Sequence, residues 1–582
     1  MYNTAGVSHQ KHAAVVLTAV VVFYIVFSLF NWAPLEEDAY IYFRFVENIA
    51  AGYGYVFNPG GEKIEGCSSF TWLFVLVVCK LAGFNILLAS KMAGIAFGCL
   101  SLITIHRISR TLISSPALAV LPVALTAISV PFLMRNQMGL DESVYTLVFL
   151  ALTYTCLSAE RFRYWPFLFF LLIISRPEGI LTGLALLPVF YLYRDRRSDI
   201  IAGVVSVAVL TGMLLLFRLL YFHEFLPSPF YHKVFAGKYY YGLIYAHGFF
   251  KDYYAYLLLL PLLFLPFKRL LRNRQTGIVL SFAGIHCLGV ILAGACFFPF
   301  YRHFVPVIPL LYIMAVSIIA ALLPRTSGMP ARLLTGCFVV YGFAALVLPQ
   351  ANWVPWEDRE PSFIAGNMKL FLASPSRYAL GLFKHFSDPR YERDNELDMQ
   401  TRSGMFIRNN YLPGTTFLYD QMGRLPYNAG IEYAFRDTNG LIDRKIGRAV
   451  FTLQNSHGSL LLGTYDRVSR YLIRAVFPDE RFYTDAAALA DSILENKPDV
   501  IMCCTLMRIP VIDALSRDPR IIKDYALAYY MPTAAILILE RRDLEKKEFN
   551  NADDIPIVFA DRIREHIPDH PWIVAYEQAE TH

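Results

Sequence analysis

The chain has 582 residues, of which 56% are hydrophobic and only 17% are charged. Because soluble globular proteins carry about 25% charged residues, the composition excludes an ordinary soluble enzyme and predicts an integral membrane protein. The net charge of +6 comes with short Lys and Arg clusters between apolar runs, as in membrane loops, and does not indicate nucleic-acid binding. The nine cysteines show neither a disulfide framework nor the spacing of a metal site.

Apolar runs of about 20 residues, enough to cross a bilayer, recur through the first 349 residues. The first is longer than a signal-peptide core and has no cleavage site behind it, which favours a retained helix. The run 165–192 is interrupted by Arg176 and predicts a broken helix or a hairpin, while 69–82 is too short to span comfortably. Crossings are predicted near 13–31, 86–105, 113–133, 199–218, 276–296, 305–323 and 333–349, with shorter candidates at 144–159 and 253–267.

Positive charge orients these segments. Placing the Lys and Arg clusters in the cytoplasm gives about eleven crossings and leaves five regions outside: 32–85, 135–143, 219–252, 297–304 and everything after 349.

The chain changes character at residue 350. No membrane-length run follows, and strand-like stretches occur at 415–420, 499–504 and 534–540, with a helix-like stretch before the second. This pattern is typical of a soluble α/β domain. We therefore predict a transmembrane domain over 1–349, with the outer loop 32–85, and an extracytoplasmic α/β domain over 350–582.

Three acids in a row, Glu36, Glu37 and Asp38, follow the first apolar run. Asp38 can cap a following helix, and acids in a first turn suit the helix dipole. The stretch to about Gly52 keeps a helical apolar period at Ile41, Phe45 and Ile49. One interpretation is an interfacial helix whose polar side chains turn away from that face, at Arg44, Glu47 and Asn48.

Further polar groups fall in other membrane-domain segments. Glu142 opens an apolar helix, and Arg176 and Glu178 interrupt an apolar stretch, where an unpaired charge would cost roughly 2.5–3.5 kcal/mol at the bilayer centre. Basic and aromatic groups follow in two later loops, at His232, Lys233, Tyr301, Arg302 and His303. Each group has a structural alternative: Arg176 and Glu178 can pair with each other, and Arg302 can snorkel to a headgroup.

Together these groups predict a transferase. A carboxylate supplies the base for an acceptor hydroxyl, and Arg, Lys or His stabilises a departing phosphate. Because the outer membrane face has no access to cytoplasmic nucleotides, the natural donor is a sugar on a polyprenyl phosphate. The alternatives are a polytopic transporter, although two similar halves are not visible in the sequence, and a non-catalytic lipid- or glycan-binding scaffold, which would tolerate loss of Asp38.

The stretch EEDAYIYFRFVENIAAGYGYVFNPGGEKIEGCSSFTW (36–72) resembles the first outer loop of membrane glycosyltransferases with the GT-C fold. It is most similar to the mycobacterial terminal arabinofuranosyltransferases and their bacterial relatives, in which DDAYI-x-F-R precedes G-x-G-x-V-F-N-P-G. Looser likenesses follow in the same order, at GLDES (139–143), SRPEG (175–179), LPSPFYHKV (226–234), YRHFVPVIPLL (301–311) and GRLPYNAGIEYAFRDTNGLIDRKIGR (423–448).

The resemblance implies a multi-spanning GT-C fold and a polyprenyl-phosphate donor that carries a pentofuranose such as arabinofuranose. The acceptor would be an extracytoplasmic glycan, a lipid-linked saccharide or a surface protein. The enzyme would lie in a bacterial cytoplasmic membrane with its C-terminal domain outside. Relatives of the wider fold differ in their need for a divalent cation, so a Mg, Mn or Ca ion near Glu37 and Asp38 is left open.

Site residues carry over by position. Asp38, with Glu37 beside it, becomes the catalytic base or a metal-proximal carboxylate, and the donor phosphate would bind to Lys233, Arg302, His303 and Arg176. Arg44 is expected to hold the acidic pair, among supporting or sugar-binding residues at Arg44, Asn58, Glu65, Ser69, Glu142, Glu178 and Tyr301.

The sequence departs from the family pattern at three places. Glu37 stands where the family has Asp, which makes Asp38 the stronger candidate for the essential carboxylate. An extra residue in GLDES leaves Asp141 and Glu142 as alternatives for the acidic position of that element. The pair Ser228–Pro229 replaces Asn–Thr, so a substrate contact there is expected to differ.

Overall fold

A computed structural model of the chain describes residues 2–30, 33–234, 238–253, 255–256, 273–294, 300–322 and, with short gaps, 392–580. The predicted crossing at 333–349, most of the candidate at 253–267 and the predicted domain boundary at 350 lie outside the described residues.

The part up to residue 322 is built from helices. In chain order the α-helices are α1 Tyr2–Phe30, α2 Glu37–Ala50, α3 Phe70–Leu81, α4 Ile86–Leu112, α5 Leu121–Ala127, α6 Val130–Arg135, α7 Glu142–Cys156, α8 Trp165–Ser175, α9 Gly183–Leu192, α10 Arg197–Phe222, α11 Ser228–Lys233, α12 Lys238–Asp252, α13 Arg274–Ala293 and α14 Ile308–Leu322. Short 3-10 helices lie at Leu118–Val120, Phe162–Tyr164, Pro177–Thr182, Arg194–Arg196 and Arg302–Phe304.

Among the described residues, four helical segments are long and apolar enough to cross a membrane: Ala13–Phe30, Ile86–Leu112, Arg194–Phe222 and Arg274–Ala293. They correspond to the crossings predicted near 13–31, 86–105, 199–218 and 276–296. Large apolar side chains on α10 are more than half exposed, among them Val205, Val209, Met213 and Leu216. A soluble monomer rarely shows so continuous an apolar surface, whereas lipid would cover it.

The run 113–133 is not one long helix. It is divided among a 3-10 turn, α5 and α6, and a proline stands in the first turn of each α-helix, at Pro122 and Pro131. Proline fits a first turn because its missing N–H would be unpaired there anyway, but it interrupts a helix interior. Most of α5 and all of α6 are buried, so the apolar character of this run reflects burial within the protein.

The interrupted run 165–192 is a hairpin of two short helices, as one of its two interpretations predicted. Helix α8 ends at Ser175, its C-cap residue Arg176 has an extended backbone, and α9 begins after a 3-10 turn. The Trp165 and Phe190 rings are 4.9 Å apart, which brings the start of α8 to the end of α9. Helix α3 has 12 residues, about 18 Å, and is shorter than the roughly 30 Å hydrocarbon core.

Helix α2 differs from the amphipathic interfacial helix predicted at this position. It begins at Glu37 with Glu36 as its N-cap residue and without a side-chain cap, so Asp38 is its second residue rather than its cap. Arg44 and Asn48, expected to turn outward, are fully buried. The helix is enclosed because the C-terminal part of the chain covers it, with Tyr427 packing against Tyr40 and Phe43.

The C-terminal part contains a six-stranded mixed sheet in the order β2-β1-β3-β5-β4-β6. Strand β1 pairs in parallel with β2 and β3, and the other pairs are antiparallel. The strands are β1 Thr416–Tyr419, β2 Ala434–Asp437, β3 Val500–Cys504, β4 Tyr525–Met531, β5 Ile536–Arg541 and β6 Val558–Phe559. The stretches predicted as strands at 415–420, 499–504 and 534–540 are β1, β3 and β5.

The helices of this part are α15 Glu392–Asn410, α16 Arg424–Ala429, α17 Arg444–Asn455, α18 Leu460–Val476, α19 Ala486–Glu495, α20 Pro510–Ser516, α21 Pro519–Asp524, α22 Ile563–His566 and α23 Pro571–Glu580, with 3-10 turns at Pro532–Ala534 and Ala560–Arg562. Helix α16 connects β1 to β2, and α17–α19 connect β2 to β3, as parallel strands require. One hydrophobic cluster runs from the membrane helices into this sheet and includes Phe43, Tyr419 and Phe435.

Candidate active site

Loops that the sequence places on one side of the membrane meet at the start of α2. The Oδ2 atom of Asp38 lies 3.7 Å from Nζ of Lys233, the last residue of α11. It also lies 3.9 Å from Nη1 of Arg302, and that nitrogen is 3.8 Å from Oε1 of Glu142. The structure therefore brings the predicted base together with two of the predicted phosphate-binding cations and with Glu142.

A fully buried chain of charges lies behind these groups. Arg135, at the end of α6, donates to Oε2 of Glu36 at 2.8 Å and to Oε1 of Glu142 at 2.9 Å, and all three side chains are at most 1% exposed. Breaking such a buried pair by removing one partner costs about 3–5 kcal/mol. This pairing fixes the start of α2 against the start of α7, and so fixes the distance between Asp38 and Glu142.

A second cluster surrounds Arg176 at the break of the α8–α9 hairpin. Its Nε donates to Glu178 at 2.7 Å, as the structural alternative expected, and its Nη1 lies 3.7 Å from Asp141. Its Nη2 lies 3.2 Å from Nδ1 of His303. A guanidinium can only donate, so Nδ1 accepts and Nε2 carries the proton of a neutral imidazole. Burial, together with the cations of Arg176 and Arg302, holds the pKa of His303 well below its usual value.

The turn that presents Arg302 and His303 has an unusual backbone. Phe300 and Tyr301 have φ angles of +62° and +46°, in the left-handed region that bulky side chains rarely adopt. Such conformations cost on the order of 1–3 kcal/mol each and persist where the surroundings hold them. The Tyr301 hydroxyl donates to Asp252 at the end of α12, which helps to hold the turn.

A cavity opens beside this turn and has two chemically different walls. Its charged wall is formed by Glu142, Arg176, Glu178, Arg302 and His303. Its apolar wall comes from the 3-10 turn before α9, from α13 and from the segment just before α14, at Leu181, Ile285, Gly289, Val290, Ala293 and Pro306. The cavity suits a ligand with an anionic group and an apolar portion, because cations and apolar side chains line the same space.

The adjacent carboxyl groups of Glu37 and Asp38 differ in protonation. Burial, and then the neighbouring Asp38 charge, raise the pKa of Glu37 to about 8. Burial would also raise the pKa of Asp38, but the cations of Lys233 and Arg302 outweigh it and lower that pKa. At neutral pH Glu37 is therefore protonated and hydrogen-bonds to ionised Asp38. The Asp38 side chain is 22% exposed and can act as a base.

The C-terminal part of the chain donates a further hydrogen bond to this pair of carboxyl groups. The backbone N–H of Gly423 donates to Oε1 of Glu37 at 2.6 Å. A Cβ atom at position 423 would lie 2.2 Å from the Glu37 carbonyl oxygen, so only glycine allows this approach. Arg424 also donates to the carbonyl of Leu35 at 2.7 Å, the residue immediately before the three acids.

The surroundings of Asp38 do not fit a divalent cation. Two positive side chains, Lys233 and Arg302, lie within 3.9 Å of its carboxylate, and a divalent cation placed there would be repelled by both. Over the described residues, no group of three or more His, Cys, Asp or Glu side chains is arranged to hold a metal ion.

Arg44 and Asn58 occupy a different place from the one expected. The Arg44 guanidinium does not contact the acidic pair but donates to the carbonyls of Phe57, Pro426, Gly430 and Tyr433 at 2.5–3.0 Å. Asn58 accepts from Arg44 at 3.3 Å and exchanges two hydrogen bonds with the Phe435 backbone. Both residues fasten the outer loop to the C-terminal part, so the assignment of Arg44 to the acidic pair is corrected.

Glu65, Ser69 and Tyr301 also lie outside the cluster around Asp38. Both oxygens of Glu65 accept from Arg218 on α10 at 2.7 Å, a buried bidentate pair. Ser69 caps α3, because its Oγ accepts from the Trp72 N–H. The contacts of these residues are structural, and their predicted contact with sugar stays a prediction.

Several residues of the site were not singled out from the sequence. Arg135 is the clearest, because an arginine at the end of an apolar run signals a charge that needs a buried partner. Gly423, in contrast, contributes a backbone N–H, which no residue pattern reveals. The Nε2–H of His286 donates to the His303 carbonyl oxygen at 2.8 Å, since a carbonyl oxygen can only accept.

Comparison with solved structures identifies the fold. The crystal structure of ArnT from Cupriavidus metallidurans bound to undecaprenyl phosphate aligns over 90% of this chain and 97% of that chain, with a TM-score of 0.50 and 15% identity. Its apo form (15% identity, 91% and 98% coverage, TM-score 0.49) and the apo Archaeoglobus fulgidus oligosaccharyltransferase (11% identity, 93% and 76% coverage, TM-score 0.48) are also similar. No family model and no curated protein matches the chain.

The ArnT alignment spans nearly the whole of both chains. The chain is a multi-spanning membrane protein with the GT-C fold, as expected from the sequence, while the number of about eleven crossings and the extracytoplasmic place of the C-terminal domain stay predictions. At 15% identity the likeness establishes the fold alone.

Proposed function

We propose that the chain is a GT-C glycosyltransferase that moves a sugar from a polyprenyl phosphate to a hydroxyl-bearing acceptor. One observation carries the proposal: an ionised, partly exposed carboxylate, Asp38, lies within 3.9 Å of two cations, Lys233 and Arg302, and Arg302 also lines a cavity with an apolar wall. A base, an anion site and an apolar cavity are the three parts that this reaction needs.

The chemistry follows from these contacts. Asp38 takes the proton of the acceptor hydroxyl as its oxygen forms a bond to the anomeric carbon of the sugar. The bond between that carbon and the phosphate oxygen breaks, and the electron pair leaves on the polyprenyl phosphate, which changes from a monoanion to a dianion. Lys233 and Arg302 stabilise this added charge, because cations fixed where charge develops lower the barrier.

Donor phosphate and Asp38 share the same two cations. The ion pairs of 3.7–3.9 Å from Asp38 to Lys233 and Arg302 exceed hydrogen-bond length, so a phosphate oxygen can approach these cations without displacing a direct hydrogen bond to Asp38. The neutral imidazole of His303 adds an N–H donor, and Arg176 lines the same cavity. The apolar wall would receive the first isoprene units.

The finer identity of the substrates is part of the proposal. The likeness of residues 36–72 to arabinofuranosyltransferases supports a pentofuranose such as arabinofuranose as the sugar. The acceptor would be an extracytoplasmic glycan, a lipid-linked saccharide or a surface protein. The enzyme would lie in a bacterial cytoplasmic membrane with residues 350–582 outside.

The test is transfer of radiolabelled sugar from synthetic decaprenyl-phosphate arabinofuranose by the purified full-length protein, with matched decaprenyl-phosphate hexose and with and without a chelator. We expect transfer from the pentose donor that survives the chelator. Transfer from the hexose alone would refute the arabinose assignment. Absence of transfer from any polyprenyl-phosphate sugar would refute the proposed function.

A further inference from the structure

The six-residue helix α11 carries Lys233 at its last position. A helix this short does not hold its own shape in isolation, because isolated helices below about 12–15 residues are marginal. The position of the Lys233 ammonium relative to Asp38 is therefore set by whatever holds α11.

Most of the described contacts that hold α11 come from the C-terminal part. The Phe230 and Tyr231 rings pack against Phe451 of α17, at 5.7 and 5.5 Å between centroids, and against Tyr465 of α18. The hydroxyls of Tyr231 and Tyr465 are hydrogen-bonded at 2.9 Å. Tyr231 is only 2% exposed, so this contact is well packed.

Arg448 of α17 reinforces the contact. Its guanidinium lies 4.6 Å over the Tyr231 ring, a cation–π geometry, and Nη1 lies 3.4 Å from Glu224, which precedes α11. Asp466 and Ser469 of α18 hold the same guanidinium from the other side. The Arg448 side chain is thus held by α18 on one side, and on the other side it holds the Tyr231 ring of α11 in place.

Hydrogen bonds to other parts of the chain hold both ends of α11. At its start the N–H of Ser228 donates to the Glu65 carbonyl at 3.0 Å. Just past Lys233, the Asn455 side chain of α17 donates to the Val234 carbonyl at 3.1 Å. Helix α11 therefore contacts α17 and α18 along its aromatic side chains while its last residue reaches Asp38.

From these contacts we infer that the α17–α18 pair positions Lys233 for the donor phosphate, with Arg448 and Tyr465 as positioning residues. The inference rests on the proposed function of the Asp38 site and adds a role for the C-terminal part: it completes the phosphate site without touching the substrate. Arg448 and Tyr465 act through Tyr231 and the backbone of α11.

The experiment measures binding of decaprenyl phosphate, without any sugar, to the full-length protein and its variants. We expect Lys233→Ala to weaken binding about tenfold, Arg448→Ala to weaken it about as much, and Tyr465→Phe, which keeps the ring and removes only the hydroxyl, to weaken it about threefold. In the double variant Lys233→Ala/Arg448→Ala the two losses should not add, because residues that act through one another are coupled. A purely structural role of Arg448 would give additive losses.

Tyr525→Phe is the matched control, since it removes another tyrosine hydrogen bond, to the Pro498 carbonyl, at the start of β4 in the same C-terminal part. We expect it to lower the melting temperature as much as Tyr465→Phe does and to leave lipid binding unchanged. Arg448→Lys, which keeps the charge, should restore part of the binding.

The outcomes separate the inference from the proposed function. Normal binding by Arg448→Ala and Tyr465→Phe, or full additivity with Lys233→Ala, would overturn the positioning role while the wild type still binds the lipid. A wild type that does not bind decaprenyl phosphate would instead overturn the proposed function, and the inference with it.

Discussion

Two buried arginines, Arg44 on α2 and Arg302 beside the start of α2, show how one residue type can have different roles. Arg44 donates to four backbone carbonyls and to Asn58, all within 3.3 Å, and joins the outer loop to the C-terminal part. Arg302 instead lies 3.8–3.9 Å from the carboxylates of Asp38 and Glu142 and borders a cavity. The short hydrogen bonds to carbonyls hold the Arg44 guanidinium in one place. The longer contacts of Arg302 with two carboxylates leave its guanidinium able to bind an incoming anion as well.

The difference predicts that Arg44→Met acts on stability. The change leaves at least three buried carbonyls without a donor, each worth roughly 1–3 kcal/mol, so we expect a loss of about 4 kcal/mol and faster proteolysis near residue 430. Arg562→Met is the matched control, because that side chain is 67% exposed and pairs only at the surface, where such pairs contribute about 1 kcal/mol or less. Equal stability of the two variants would show that Arg44 does not hold the junction.

Arg302→Met should act on transfer. Removing one fixed donor for developing charge typically lowers kcat by about 10²–10³-fold, and we expect a loss at the lower end because Lys233 remains. Steady-state kinetics with the donor varied would measure it, next to thermal unfolding. A drop in melting temperature as large as that of Arg44→Met, without a kinetic effect, would place Arg302 with the structural arginines.

The protonation of Glu37 predicts a pH effect on donor binding. Burial and the Asp38 charge raise the pKa of Glu37 to about 8, so above this pH a second negative charge appears beside the proposed phosphate site. We expect the donor KM to rise roughly tenfold between pH 7 and 9, and Glu37→Gln to abolish the rise. The same raised pKa makes the folded protein lose stability as pH rises from about 4.5 through about 8. A KM profile unaltered by Glu37→Gln would refute this role.

Much of the fold could be read from the sequence because it rests on local signals. Long apolar runs predicted the crossing helices, and alternating or continuous apolar stretches predicted β1, β3 and β5. The burial of α2 could not be read, since Arg44 bonds to Tyr433, 389 residues away in sequence. The division of 113–133 could not be read either. The sequence alone does not show whether Pro122 and Pro131 stand in the first turns of separate helices or interrupt one long helix.

The candidate site shows the same limit. Charges in membrane loops pointed to Asp38, Lys233 and Arg302, which the structure brings together, because a charge near the bilayer needs a reason to be there. Contributions from backbone atoms and from distant helices, such as the Gly423 N–H and the contact of Arg448 with Tyr231, leave no mark in the residue pattern.

The most direct test is Asp38→Asn, with sugar transfer and decaprenyl-phosphate binding measured on the same preparation. The change removes the base and one negative charge near Lys233 and Arg302. If Asp38 is the base, transfer should fall by about 10²–10⁴-fold while the lipid binds as tightly as before or more tightly. Full transfer by Asp38→Asn would contradict the assignment of this carboxylate as the catalytic base.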